Sequence, residues 1–138
     1  MLKSIYKLMV KTDIKIAIIE DDEPIRAMYV LKLKKEGFEV DSAEDGQSGL
    51  KLIEHFKPDL ILLDLKMPYM SGQEMLKKVR ETNWGKDMLV VVLTNISQSE
   101  ASMDLRLLRV EKYIVKAHYT PSQVVEIVNE VLKNYNKI

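Results

Sequence analysis

From Lys15 onward, short runs of Ile, Leu and Val alternate with longer stretches in which apolar residues recur every three or four positions, and turn formers separate the two. The runs predict five strands, at 16–19, 38–42, 60–63, 89–93 and 113–115. Ile16-Ala17-Ile18-Ile19, Leu60-Ile61-Leu62-Leu63 and Leu89-Val90-Val91-Val92-Leu93 are apolar at every position, the pattern of strands in a parallel sheet covered on both faces. The run at 38–42 is weaker and alternates, which suits an edge strand.

Five helices are predicted between and after the strands. The first starts near Pro24, presents Ile25, Tyr29 and Leu33 on one stripe, and stops at Gly37, a residue suited to the left-handed cap position. The second runs from about Gln47, with Leu50, Ile53 and Phe56 inward, and ends before Pro58. The third follows Ser71-Gly72 and buries Met75, Leu76 and Val79; the fourth follows Ser99 as its cap, with Leu105 and Leu108 inward. Thr120 caps the fifth, Pro121 takes its first position, and Val124, Val128 and Val131 form its stripe.

Five βα units with short connections predict a doubly wound α/β fold, a five-stranded parallel sheet in a three-layer sandwich, because parallel crossovers are right-handed and place helices on both faces. The expected division is an N-terminal extension over 1–12 and one domain over 13–138, with either Met1 or Met9 as the start and no room for an output domain. A chain of 138 residues is the size of one domain. With no cysteine, disulfide frameworks, thiolate zinc sites and thiol nucleophiles are excluded, and a cytoplasmic compartment is the expectation. No apolar run approaches the roughly 20 residues of a membrane span, and no secretory h-region is present. The charges balance at 21 against 21, which argues against a nucleic-acid surface.

In an open parallel sheet, ligands bind beyond the carboxyl ends of the strands. Glu20, Asp21, Asp22 and Glu23 follow the first strand; Asp64 the third; Thr94 and Asn95 the fourth; Lys116 the fifth. Glu20, Asp21 and Asp64 converging at one rim repel one another unless a cation sits among them, and hard oxygens without His or Cys select Mg²⁺. The Thr94 hydroxyl and the Lys116 ammonium complete a pocket for phosphoryl oxygens, and Asp64, ending the central strand, is the candidate acceptor for an aspartyl phosphate. His55 and His118 lack a second imidazole at ligand spacing and read as surface residues; Trp84 reads as a local packing residue.

Ile-Ile-Glu-Asp-Asp-Glu-Pro-Ile-Arg at 18–26, Asp45-Gly46, the run from Pro58 through Asp64 to Pro68 with Ser71-Gly72 after it, Leu93-Thr94, and Tyr113-Ile114-Val115-Lys116 together resemble the response-regulator receiver domains of two-component signalling, over about 15–133. The resemblance implies the flavodoxin-like strand order 2-1-3-4-5. It further implies that Asp64 takes phosphate from a histidine kinase or histidine phosphotransfer protein. Asp21, Asp64 and the backbone carbonyl of Lys66 would hold Mg²⁺, with Glu20 acting through water. Thr94 would swing toward the phosphoryl group, Lys116 would pair with its oxygens, and Tyr113 would be the switch aromatic that re-faces the surface for an unknown downstream protein. Such a domain phosphorylates and dephosphorylates itself and has no separate metabolite substrate. A monomer or weak dimer is expected.

The sequence departs from the family's pattern twice. Asn95 stands where a small residue is common, and Ala117 stands where proline usually follows the lysine. A cis bond before alanine would cost about 2.5–4 kcal/mol, so the Lys116–Ala117 bond is expected to be trans, with the 117–120 loop repositioned. Lys66 and Ile96 hold the two positions that tend to tune phosphoryl lifetime in the family, and Ile25, Met28 and Tyr29 are expected to offer an apolar surface to the phosphodonor. Two other chemistries share these ingredients. A phosphatase of the haloacid-dehalogenase type wants an Asp-x-Asp pair, and Lys66 breaks it; a flavodoxin-like cofactor binder wants a Ser/Thr/Gly phosphate loop, where this chain has four acids.

Overall fold

The computed structural model describes residues 13–101 and 103–138, so the predicted extension over 1–12 lies outside the described residues. Five parallel strands, β1 (Lys15–Ile19), β2 (Glu39–Ala43), β3 (Leu60–Leu63), β4 (Leu89–Thr94) and β5 (Lys112–Val115), form one sheet in the order β2-β1-β3-β4-β5. The central β3 and β4 are buried at every position, as their unbroken apolar runs require, and β2 lies at the edge. One apolar layer gathers Ile16, Ile18, Leu60, Leu62 and Val91 with the helices α1 (Glu23–Lys35) and α4 (Pro121–Asn134). The other gathers Ala17, Ile19, Ile61, Leu63, Val90 and Val92 with α2 (Gly46–Phe56) and α3 (Gly72–Arg80). Alternate residues of each strand thus serve opposite faces, and each large side chain so buried contributes on the order of 1.5–3 kcal/mol.

Helix ends obey local chemistry. Asp22, Asp45, Ser71 and Thr120 each cap a helix through a side-chain oxygen, and Thr120 with Gln123 completes a capping box. Past the end of α1, Gly37 has φ 101. The Gly37 N–H there bonds the Lys34 carbonyl and the Phe38 N–H the Leu33 carbonyl, the paired bonds of a Schellman motif.

Two expectations need correction. In place of the fourth predicted α-helix, the structure has a short 3-10 helix, Met103–Leu108. Ser99 lies four residues before its first residue, and its hydroxyl meets that of Ser97 at 3.2 Å. The far end is held by Arg80. Its guanidinium donates to the carbonyls of Leu108 (2.9 Å) and Arg109 (3.0 Å), and also to those of Gly85 (3.1 Å) and Met88 (2.6 Å). Leu105 is buried and Leu108 half-buried, and this i, i+3 pair suits three residues per turn. The second correction concerns α1: Tyr29 is only 5% exposed and belongs to the core, so the apolar surface of this helix is carried by Met28 (36%) and Leu31 (57%). The same inward stripe that predicted the helix places Tyr29 against the sheet.

Candidate functional site

Strand register brings the chemistry together. Ile19 lies opposite Leu63, and the Asp64 N–H bonds the Ile19 carbonyl at 2.9 Å, so Glu20 and Asp64 are the first residues beyond two adjacent strands. Thr94 pairs with Val115, which sets Lys116 one step past the sheet. The strand order reverses between β1 and β3, which opens a crevice at that rim. A cleft of about 490 Å³ lies there, lined among others by Asp21, Asp64, Lys66, Thr94, Asn95, Ile96 and Lys116.

Oxygen atoms of Glu20, Asp21 and Asp64 all lie within 4.8 Å of one another. Glu20 (3% exposed), Asp64 (6%) and Thr94 (0%) are the buried polar side chains among the described residues, while Asp21 is exposed. Lys116 donates from Nζ to Glu20 Oε1 and, at 3.2 Å, to Asp64 Oδ2. The Lys66 N–H lies 3.3 Å from Asp64 Oδ1, and its side chain is exposed. Burial first, then the hydrogen-bonded Asp64 carboxyl, push Glu20 up to about 7. Burial works against the Lys116 charge, but the bond to Glu20 and the negative charge of Asp64 outweigh it and hold the ammonium above its usual range. One ammonium among three carboxylates leaves an excess of negative charge, and the donors are all hard oxygens. That set fits a small divalent cation of the Mg²⁺ type.

Tyr113 is half-buried and its hydroxyl donates to the Ile96 carbonyl at 2.6 Å, gripping the chain two residues past Thr94. Burial, with the negative charges of Glu100 and Asp64 behind it, pushes its phenol up. Asn95 is exposed on the cleft wall. The Lys116–Ala117 bond is trans, as expected, since the described residues contain no cis peptide. The loop that follows is a 3-10 turn, Lys116–His118, and Lys116 still reaches the acids. His55 and His118 are exposed and stand apart from the cluster, and Trp84 is half-buried against the α2/α3 layer.

Sequence reasoning assigned no role to Arg26 or Arg80. Arg26 donates to the Glu20 carbonyl at 2.9 Å, and Arg80 ties the loop before β4 to the turn before β5. Both bind main-chain carbonyls, which carry no side-chain signature to find in a sequence.

A doubly wound α/β domain with an acidic pocket at its switch point is the class that fold and site define. The model of the response regulator receiver domain family matches residues 16–129, and the chain belongs to that family, the receivers of two-component signalling. Chemotaxis protein CheY4 of Vibrio cholerae is similar at 28% identity and a TM-score of 0.79, over 86% of this chain and 98% of that one. A CheY-like receiver domain protein of Methanospirillum hungatei is similar at 29% identity and TM-score 0.77, over 90% and 97%. Response regulator protein TrrA of Thermotoga maritima, solved in complex with Mg²⁺ and BeF, is similar at 29% identity and TM-score 0.75, over 86% and 99%. Among the described residues no helix is long and apolar enough to cross a membrane.

Proposed function

We propose that this chain accepts a phosphoryl group on Asp64, in a Mg²⁺-dependent reaction, from a histidine kinase or phosphotransfer protein, and signals through the resulting change of its surface. The observation that carries this reading is the buried Asp64 carboxylate beside Glu20, Asp21 and Lys116 at the mouth of one cleft. An Asp64 oxygen attacks phosphorus, forming the acyl phosphate O–P bond as the bond to the donor's imidazole nitrogen breaks; with acetyl phosphate, acetate leaves. Glu20, Asp21, Asp64 and the Lys66 carbonyl are the groups proposed to hold Mg²⁺. When bound, the ion would neutralise charge on the transferring oxygens. Lys116 would then move from pairing with carboxylates to pairing with phosphoryl oxygens, and Thr94 would donate its hydroxyl to them. Movement of Thr94 draws on the chain that Tyr113 grips at Ile96, so Tyr113 is the proposed relay to the outer surface.

The experiment is incubation with acetyl phosphate, with and without Mg²⁺, read by intact mass. A gain of about 80 Da that requires Mg²⁺ is expected; no adduct under either condition would overturn the reading.

Two further outcomes follow from the same site. Lys116→Met removes the one cation bonded to the acids among the described residues, so the metal-free variant should lose on the order of 3 kcal/mol of stability. Mg²⁺ should recover much of that, giving a larger rise in thermal midpoint than in wild type; at 100 times Kd a ligand adds about 2.7 kcal/mol. Equal rises in both proteins would contradict a shared site. Ile96 lines the cleft, and its proposed role is to exclude water from an acyl phosphate. Ile96→Ser should therefore shorten the life of the adduct several-fold, and an unchanged decay rate would remove that role.

A further inference from the structure

We infer that Arg26 is the positioning residue of the cation site, and that it acts through the geometry of its guanidinium and against the sign of its own charge. The inference rests on the reading of Glu20, Asp21 and Asp64 as a Mg²⁺ site.

The turn between β1 and α1 is short and mostly committed. The sheet ladder ends where the Glu20 N–H bonds the Ala43 carbonyl at 3.1 Å. The helix begins where the Asp22 carboxylate takes the Ile25 N–H at 3.0 Å and the Asp22 carbonyl takes the Arg26 N–H at 2.9 Å. The carbonyls of Glu20 and Asp21 lie between, in neither sheet nor helix. Arg26 reaches back and donates from Nη1 to the Glu20 carbonyl at 2.9 Å, with the Asp21 carbonyl at 3.5 Å. One residue thus holds the turn by its main chain and its side chain together. Asp21 is the exposed member of the acidic cluster, so the direction of its carboxylate depends on the backbone that Arg26 pins. Partners that orient ligating groups from behind are typically worth 10–100-fold in metal affinity.

Charge alone predicts the opposite result. A guanidinium beside three carboxylates repels a divalent cation, so deleting it should tighten Mg²⁺ binding if electrostatics were its whole contribution. Among the described residues Arg26 forms no ion pair with a carboxylate; its bonds go to carbonyls.

The test is calorimetric titration of Mg²⁺ into wild type, Arg26→Gln and Arg26→Lys at fixed low ionic strength, with amide exchange over residues 20–23 in the metal-free proteins. Arg26→Gln should bind about 10-fold more weakly and its 20–23 amides should exchange faster. Arg26→Lys keeps the charge but loses the planar fork, and should also bind more weakly than wild type. It carries the test should the glutamine variant fail to fold. Unchanged or tighter binding in these variants, with wild-type exchange rates, overturns the role of Arg26 and leaves the cation site standing. Wild type that takes up no Mg²⁺ overturns the site itself.

Discussion

Treated with acetyl phosphate and Mg²⁺, Asp64→Asn should gain no mass while wild type gains about 80 Da. An amide oxygen is a poor nucleophile, and asparagine matches aspartate in shape, so the change removes the attacking group and leaves the rim in place. The neighbours cannot readily substitute. Glu20 is held by Lys116 and also lies within 3.4 Å of the Asp22 N–H. Asp21 belongs to the exposed start of the β1–α1 turn. Because the variant also relieves repulsion among three carboxylates within 4.8 Å, its thermal midpoint should equal or exceed that of wild type. A stable protein without an adduct separates lost chemistry from lost fold. An Asn variant that carries the same adduct in the same amount would assign the acceptor elsewhere.

Gly72→Ala should be among the most damaging single substitutions available in this chain. A Cβ at that position would sit 2.0 Å from the Asp64 carbonyl oxygen and 3.0 Å from both the Asp64 carbonyl carbon and Leu65 Cα. All three are backbone atoms, so no rotamer change relieves the clash. The Gly72 N–H bonds the Leu65 carbonyl at 2.9 Å, which seats the start of α3 directly on the segment that leaves β3. To admit the methyl group, α3 must lift, and Met75, Leu76 and Val79, all fully buried, lose packing with it. A loss of about 3–5 kcal/mol in urea denaturation is expected, with weaker phosphorylation in whatever fraction folds. Gly49→Ala is the control. Its Cβ would meet the Met75 sulfur at 2.9 Å and Ile19 side-chain atoms, which can yield, and alanine favours the helix by about 1 kcal/mol. If Gly72→Ala costs no more than Gly49→Ala, the close approach at Asp64 is not what makes glycine necessary.

The parts of the site that were legible in advance are those tied to a strand end. Glu20, Asp64, Thr94 and Lys116 each lie immediately beyond or at the last residue of an apolar run, and in a parallel sheet those ends share one rim. Asp21 and Lys66 follow one or two residues later. Their roles as ligands remain proposals, as do those of Thr94, Lys116 and Tyr113, but their neighbourhood needed only strand boundaries to foresee. The fourth helix fared worse because its Leu105 and Leu108 spacing fits either helical form, and the Arg80 bonds to the carbonyls at its far end are tertiary contacts. Tyr29 served two readings at once, as a core stripe residue and as partner surface, and burial allowed only the first.

What the sequence by itself determined is whatever depends on neighbours along the chain. The period of apolar residues names strands and helices; Asp22, Asp45, Ser71 and Thr120 start helices by accepting from N–H groups three residues on; and Gly37 closes α1 with a positive φ. Only the tertiary structure decided that Lys116 bridges Glu20 and Asp64, that Gly72 touches the Asp64 carbonyl, and which main-chain carbonyls Arg26 and Arg80 bind. These contacts depend on strand register and on where two segments approach in space. Carbonyl groups are the same at every residue, so no pattern of side chains can say which of them a distant arginine will meet.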